Sequence, residues 1–190
     1  MTGAPSFDAA VAALRRGRLV AYPTDTLWGL AARATDARAV ERLFAAKERP
    51  RDRPVALALS SLEEIEPWTD LDDPVRAFLR RELPGPITAL LSPSRSARRR
   101  LPAGLLGPSG HLAVRIPDHP VARELARRAG PITATSANRH GRTDPASLAE
   151  VARELGDRVA VYLGGGPRPA GTPSRIVDLT GPIPTIVARG

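Results

Sequence analysis

The apolar runs of this chain are short, and each is closed by proline, glycine or a small polar residue. RLVAYP, PVALALS, ITALLS, HLAVRIP, PITATS, DRVAVYL, RIVDL and PTIVARG have the length and β-branched content of strands. None approaches the ~20 apolar residues needed to cross a bilayer. Between them lie segments with helical spacing. Ser6 is placed to cap FDAAVAALRR, with Gly17 as its stop, and Asp36 to cap ARAVERLFAAKE, whose Val40, Leu43 and Phe44 share a face. Ser61-Leu62-Glu63-Glu64 has the spacing of a helix start, Asp72-Asp73-Pro74 opens VRAFLRREL, His119-Pro120 opens VARELARRA, and Asp144-Pro145 opens ASLAEVARELG. Residues 93–110, rich in Ser, Pro, Gly and Arg, read as a long surface loop. Helices alternate with strands, yet some strands follow one another directly. That order predicts an α/β fold, a single domain with a twisted mixed sheet flanked by helices. With 190 residues, no composition break and no repeat, residues 1–190 read as one unit.

The absence of cysteine excludes disulfides, thiolate nucleophiles and thiolate metal sites. The three histidines lack the i, i+4 spacing of a helical zinc motif, so no metal site built from protein side chains is expected. The N-terminus carries no signal-like apolar core, which gives a cytoplasmic expectation with no membrane partner. A net charge of +8 favours polyanionic partners such as nucleotides or RNA. Among 28 basic residues Lys47 is the only lysine, in a sequence that otherwise uses arginine wherever a generic positive charge serves. A compact ammonium differs from a planar guanidinium in reach and geometry, so the exception draws attention to Lys47.

Four strand ends finish in small polar or basic residues: PTDT at 23–26, VRIP at 114–117, TATSAN at 133–138 and TPSRIVD at 172–178. In open α/β sheets ligands bind beyond strand ends, so the four together suggest a shared polar cleft. Turns also favour Ser, Thr and Asn, and that reading stays open on spacing alone. Lys47 and Arg49 at a helix end either complement the helix dipole or clamp a polyphosphate. In both cases a helix-end lysine is expected to add little to stability. Gly164-Gly165-Gly166 belongs to neither a P-loop nor a Rossmann fingerprint, and no GxSxG elbow is present for a Ser-His-Asp hydrolase. His119 is explained as a helix-start residue, and Arg98-Arg99-Arg100 as a solvated loop without aromatics for stacking on RNA.

The order PTDTLWGL, KERP, PGPIT, VRIPDHP, PITATSAN, PSRIVD and VARG resembles the threonylcarbamoyl-adenylate synthase family, of the YrdC/TsaC type, from about residue 18 to the end. The resemblance implies a YrdC-like fold around a large basic cavity. It implies an enzyme, a nucleotidyltransferase, that condenses L-threonine, bicarbonate and ATP and releases pyrophosphate. Mg2+ would accompany the nucleotide, and transferase proteins would carry the threonylcarbamoyl group to tRNA. Carried over by motif, Lys47, Arg49, Arg53, Ser136, Asn138 and Arg189 surround ATP, with Lys47 and Arg49 catalytic on the triphosphate. Thr26, Trp28, Arg115, Ala134 and Ser174 surround threonine, with Arg115 facing its carboxylate. Arg53 and Ala58 stand where the family usually has asparagine and histidine, Trp28 where it has tyrosine, Arg175 interrupts its STIVD motif, and His140 takes the place of a serine. Two alternatives remain: a paralogue with another amine or carbamoyl substrate, and a non-catalytic module binding tRNA or double-stranded RNA.

Overall fold

Ser6 opens the first helix as its spacing predicts, its hydroxyl accepting from the Ala9 N–H at 3.2 Å. In the computed structural model, which describes residues 6–187, this helix is α1 (Phe7–Arg15). The strands that follow are β1 (Val20–Pro23) and β2 (Trp28–Ala31), and then α2 (Ala37–Lys47), capped by Asp36 Oδ1 on the N–H groups of Arg38 and Ala39. Next come β3 (Ala56–Ala58), α3 (Asp73–Glu82), β4 (Ile87–Leu91), α4 (Arg95–Arg100) and β5 (Leu112–Arg115). The chain continues through α5 (Pro120–Ala129), β6 (Ile132–Ser136), α6 (Leu148–Leu155), β7 (Val161–Tyr162), β8 (Arg175–Asp178) and β9 (Thr185–Val187).

The nine strands among the described residues join in one sheet of order β7-β1-β2-β6-β3-β5-β4-β8-β9. It is mixed: β1 with β7, β3 with β5 and β4 with β8 run parallel, and the other neighbours run antiparallel. The expected α/β architecture is therefore present.

The period of two along each strand divides the sheet into two chemically different faces. Leu57, Ile87, Ala89, Leu91, Val114 and Val177 point to one side and join Val40, Leu43 and Phe44 of α2 in the larger core. On the other side α1 and α5 cover one end, with Val20, Tyr22, Ala31, Ala58 and Ile132 packed against Leu14 and Leu125. Beyond those helices the same face carries Thr88, Ala113, Arg115, Ala134 and Ser136, and there it borders a cleft. Which strand residues reach the ligand side is thus fixed by parity.

Four local expectations are corrected. Strand β2 was not foreseen; a four-residue turn folds Trp28–Ala31 back on β1 in the register Tyr22 to Gly29. Ser61 starts no helix, although Glu64 reaches back to Ser60, because Pro67 removes an N–H and disfavours helix before it; the segment forms turns. The supposed loop at 93–110 contains α4, capped by Ser94, and a 3-10 turn at Ala103–Leu105. Its Arg100 lies over the Trp68 ring at 4.6 Å. Helix α6 begins at Leu148 instead of beside Asp144, because Ser147 and Glu150 form a capping box.

Candidate active site

Thr24 shapes the turn that follows β1. Its hydroxyl donates to the Leu27 carbonyl at 2.7 Å and accepts from the N–H groups of Thr26 and Leu27, both at 3.2 Å. This side-chain turn turns the chain back into β2 and leaves Asp25 and Thr26 facing the end of β5. There Arg115, only 7% exposed, donates from Nη1 to Thr26 Oγ1 at 2.6 Å and from Nη2 to Asp25 Oδ1 at 2.5 Å. Both groups keep unused valences: Arg115 Nε and Asp25 Oδ2 are buried without a hydrogen-bond partner, as is Trp28 Nε1. Buried polar atoms without partners are costly, and of these three residues Arg115 and Trp28 border a cleft, which points to a ligand site there.

The cleft has a volume of about 220 Å³. Its floor is made of the small side chains Ala56, Ala113 and Ala134, whose size leaves the space open. Thr26, Trp28, Arg115, Ala134 and Ser174, the residues the resemblance assigns to threonine, all border it. Ser174 lies 2.8 Å from Thr88 Oγ1, hydroxyl to hydroxyl, which ties β4 to the segment entering β8. Tyr22 closes the bottom. It is fully buried, donates to the Thr133 carbonyl at 3.3 Å, and burial pushes its phenol well above the usual value, so it stays neutral. Gly29 makes room for it: a Cβ there would stand 2.8 Å from two carbons of the Tyr22 ring.

Arg49 and Ser136 border the same cleft. Arg49 is directed by its own turn, donating from Nε to the Arg53 carbonyl at 2.8 Å and from Nη2 to the Pro54 carbonyl at 3.0 Å. The Arg53 residue is exposed and does not border the cleft; its backbone carbonyl is what touches Arg49. Arg189 lies outside the described residues.

Lys47 and Asn138 sit behind Ser136. Lys47, read from sequence as a helix-end cation or a phosphate clamp, is only 1% exposed and does not border the cleft. Its Nζ reaches the carbonyls of Ser136 at 2.5 Å and Asn138 at 2.6 Å, and Asn138 Oδ1 at 3.3 Å. Three protons meet three acceptors. The Lys47 carbonyl in turn accepts from the His140 N–H at 2.7 Å, Ser136 Oγ donates to Asn138 Oδ1 at 2.7 Å, and Asn138 Nδ2 donates to the Arg142 carbonyl at 2.6 Å. Burial brings the Lys47 ammonium down to about 7; Arg49 pushes the same way, while Asp144 and Glu154 oppose it.

Among the described residues no carboxylate borders the cleft, and the two charged residues that do are both arginines. Such a site suits a ligand with dispersed negative charge. The Sua5/YciO/YrdC family model, described as telomere recombination, matches residues 12–190. The chain belongs to the Sua5/YciO/YrdC family. Among members of that family, the threonylcarbamoyl-AMP synthase of Chromohalobacter salexigens is 41% identical over 166 residues, covering 85% of this chain and 88% of that protein. The Bacillus subtilis threonylcarbamoyl-AMP synthase is 34% identical over 192 residues, and this chain spans 54% of its length. The crystal structure of P. abyssi Sua5 complexed with L-threonine superposes with a TM-score of 0.87 at 34% identity, over 95% of this chain and 52% of that one. This chain therefore spans about half the length of some relatives and nearly all of others.

The Ala58 departure falls away from the cleft. Ala58 is 1% exposed and packs beneath α1 and α5, while Ala56, on the same face, borders the cleft. Sequence reasoning missed Tyr22, Asp25 and Thr88. Asp25 had a signal, a carboxylate between two threonines at a strand end; Thr88 sits in the quoted PGPIT motif; Tyr22 looked like any strand aromatic.

Proposed function

We propose that this chain is a threonylcarbamoyl-AMP synthase, acting on L-threonine, bicarbonate and ATP in the cytoplasm, with residues 1–190 as one catalytic unit. The observation that carries this reading is a single cleft bordered at one side by the Arg115 fork with unused valences and at the other by Arg49 and Ser136. The likeness to curated synthases and to a threonine-bound structure supports the choice of amino acid.

Bicarbonate yields carbon dioxide and hydroxide, the neutral amino group of threonine takes up the carbon dioxide to become a carbamate, and the proton it sheds turns the hydroxide into water. A carbamate oxygen attacks the α-phosphorus of ATP, the bond to the β-phosphate oxygen breaks, and pyrophosphate leaves. The carbamate is itself the nucleophile, so the protein's work is to align reactants and to neutralise developing charge. Arg115 and Thr26 receive the threonine carboxylate, Ser174 and Trp28 bound its side, and the absence of bulk at Ala134 leaves room for it. Arg49 and Ser136 take phosphate oxygens. Lys47 and Asn138 act on the nucleotide by holding Ser136 in place.

Among the described residues no group of three His, Asp or Glu is placed to hold a metal ion, and the anion-binding character of the cleft fits a Mg2+ ion carried on the triphosphate. That ion would supply charge neutralisation at the phosphates. Since ~300 Å³ is the lower bound for typical ligand sites, the cleft holds the reacting groups while base and ribose extend toward solvent. The product passes to transferase proteins that modify tRNA, and the +8 charge suits contact with that RNA.

The test is pyrophosphate release from ATP and bicarbonate with and without L-threonine, with the adenylate identified by mass. Threonine-dependent release is expected. Release with another amine and none with threonine would assign the chain to a paralogue instead, and salt-sensitive RNA binding without turnover would make it a binding module.

A further inference from the structure

His119 occupies the N-cap of α5, yet its side chain makes no capping hydrogen bond. An N-cap is normally served by a short hydroxyl or carboxamide. Here the imidazole is turned away from the helix and is 1% exposed. Its Nε2 lies 3.0 Å from the Pro167 carbonyl, and because a carbonyl only accepts, Nε2 carries the proton. Nδ1 is buried without a partner. A buried imidazole with one bond made and one unmade is a poor choice for capping a helix; the Pro167 contact is what accounts for its position.

Pro167 belongs to the exposed, glycine-rich segment 164–173. At Gly166, with φ +72°, a Cβ would stand 2.6 Å from His119 Cε1 and 3.0 Å from Nε2, so the backbone of this segment lies directly on the imidazole. Further along, the Ala170 N–H donates to the Asp25 carbonyl at 3.2 Å and the Gly171 N–H to the Thr26 carbonyl at 2.8 Å. Asp25 and Thr26 are the two residues whose side chains hold the Arg115 guanidinium. Three residues after Gly171 comes Ser174, on the cleft wall. The strap is thus fastened at one point to His119, four residues beyond Arg115 on the exit from β5, and at a second to the turn that orients Arg115.

We infer that His119 is a positioning residue for the amino-acid end of the cleft: by latching the strap at Pro167 it sets the place of Asp25, Thr26 and Ser174, and through them of Arg115. The inference rests on the proposed synthase reading and names a determinant of its amino-acid affinity. The nucleotide end, built by α2 and the segment after β6, shares no hydrogen bond with the strap among those described. The effect of loosening the latch should therefore be unequal between substrates.

The experiment compares wild type with His119→Ala, His119→Gln and Gly166→Ala, measuring kcat and separate KM values for L-threonine and ATP by pyrophosphate release, with hydrogen exchange of residues 164–173 followed in parallel. Loss of one such anchor should raise the KM for threonine about tenfold in His119→Ala and Gly166→Ala. The KM for ATP should change less than about twofold. The amide of Gln can still donate to Pro167, so His119→Gln should recover most of the affinity. Exchange at Ala170 and Gly171 should quicken in the two loosened variants. Equal changes in both KM values, or an unchanged KM for threonine, would overturn the inference. Should His119→Ala fail to fold, Gly166→Ala carries the test, since it disturbs the latch from the exposed strap side, where its Cβ meets the imidazole, without removing His119. If wild type shows no threonine-dependent turnover, the synthase reading fails by itself; the latch still stands or falls on the exchange of Ala170 and Gly171.

Discussion

At one end of the cleft, Lys47 directs its three ammonium protons to the Ser136 carbonyl, the Asn138 carbonyl and Asn138 Oδ1. At the other, Arg115 gives one Nη to Thr26 and the other to Asp25, and its Nε remains without a partner. Both cations are buried, and both stand at the end of a regular element. The ammonium is saturated by the protein itself, whereas the guanidinium keeps a donor for something else. A compact ammonium fits among three converging acceptors; a planar fork would not, which is why an arginine-rich chain retains one lysine here. The two cations differ in place as well: Lys47 braces Ser136 and Asn138 from behind the cleft, and Arg115 borders it.

The largest test of this contrast is Arg115→Ala. It leaves the Asp25 carboxylate buried and uncompensated, so stability should fall by about 3–5 kcal/mol, read from the urea midpoint, and threonine binding by calorimetry should be lost. A loss of under about 1 kcal/mol would mean that the ion pair behaves like an exposed one and that Arg115 is not fixed by Asp25. Lys47→Met should follow, with stability falling on the order of 2 kcal/mol, because two main-chain carbonyls lose their donor while the cost of burying the ion is relieved. Its activity should fall through KM for ATP. Full activity with native stability would show that the wall does not depend on the ammonium.

Much of this was legible before the fold was known, for reasons that particular residues make clear. Asp36 and Asp72 cap helices as their spacing predicts, since capping is decided within four residues. Four polar strand ends were read as one cleft, and Thr26, Arg115, Ser136 and Ser174 do border one. Other features depend on contacts between distant segments. Whether Lys47 faces solvent or a carbonyl 91 residues away is a tertiary fact. The same holds for the reach of α1 and α5 over the sheet, which covers Ala58 and leaves Ala56, on the same face, at the cleft, and for the packing of Tyr22 on Gly29.

A pH experiment sharpens the contrast, because Lys47 titrates near neutrality. The folded value of Lys47 is lowered to about 7 from an ordinary 10.5. Between those values the unfolded chain binds more protons than the folded one, so this group makes stability rise with pH across the window. Below about 7 both states carry the ammonium and the contribution is flat at its least favourable. The difference in unfolding free energy between wild type and Lys47→Met should therefore grow in favour of wild type from pH 7 upward. Its slope should approach about 1.4 kcal/mol per pH unit. A pH-independent difference would place the folded value near 10.5 and make the three acceptors strong enough to offset burial.

The smallest expected effect concerns the cleft wall beside Arg115. Thr88 and Ser174 share one hydroxyl–hydroxyl bond at 2.8 Å, and both are buried beside the cleft. Thr88→Val keeps the shape and removes the hydroxyl, so Ser174 loses a fixed partner and stability should drop by about 1 kcal/mol. The loss of this bond changes how Ser174 is held beside the cleft, and the affinity for L-threonine reports the effect. A fall of about three- to fivefold with unchanged ATP affinity would mean that Thr88 orients Ser174 in the amino-acid pocket. A rise would mean that the pair competes with the ligand for the same hydroxyl, and the valence left open for threonine would then lie on Arg115 alone.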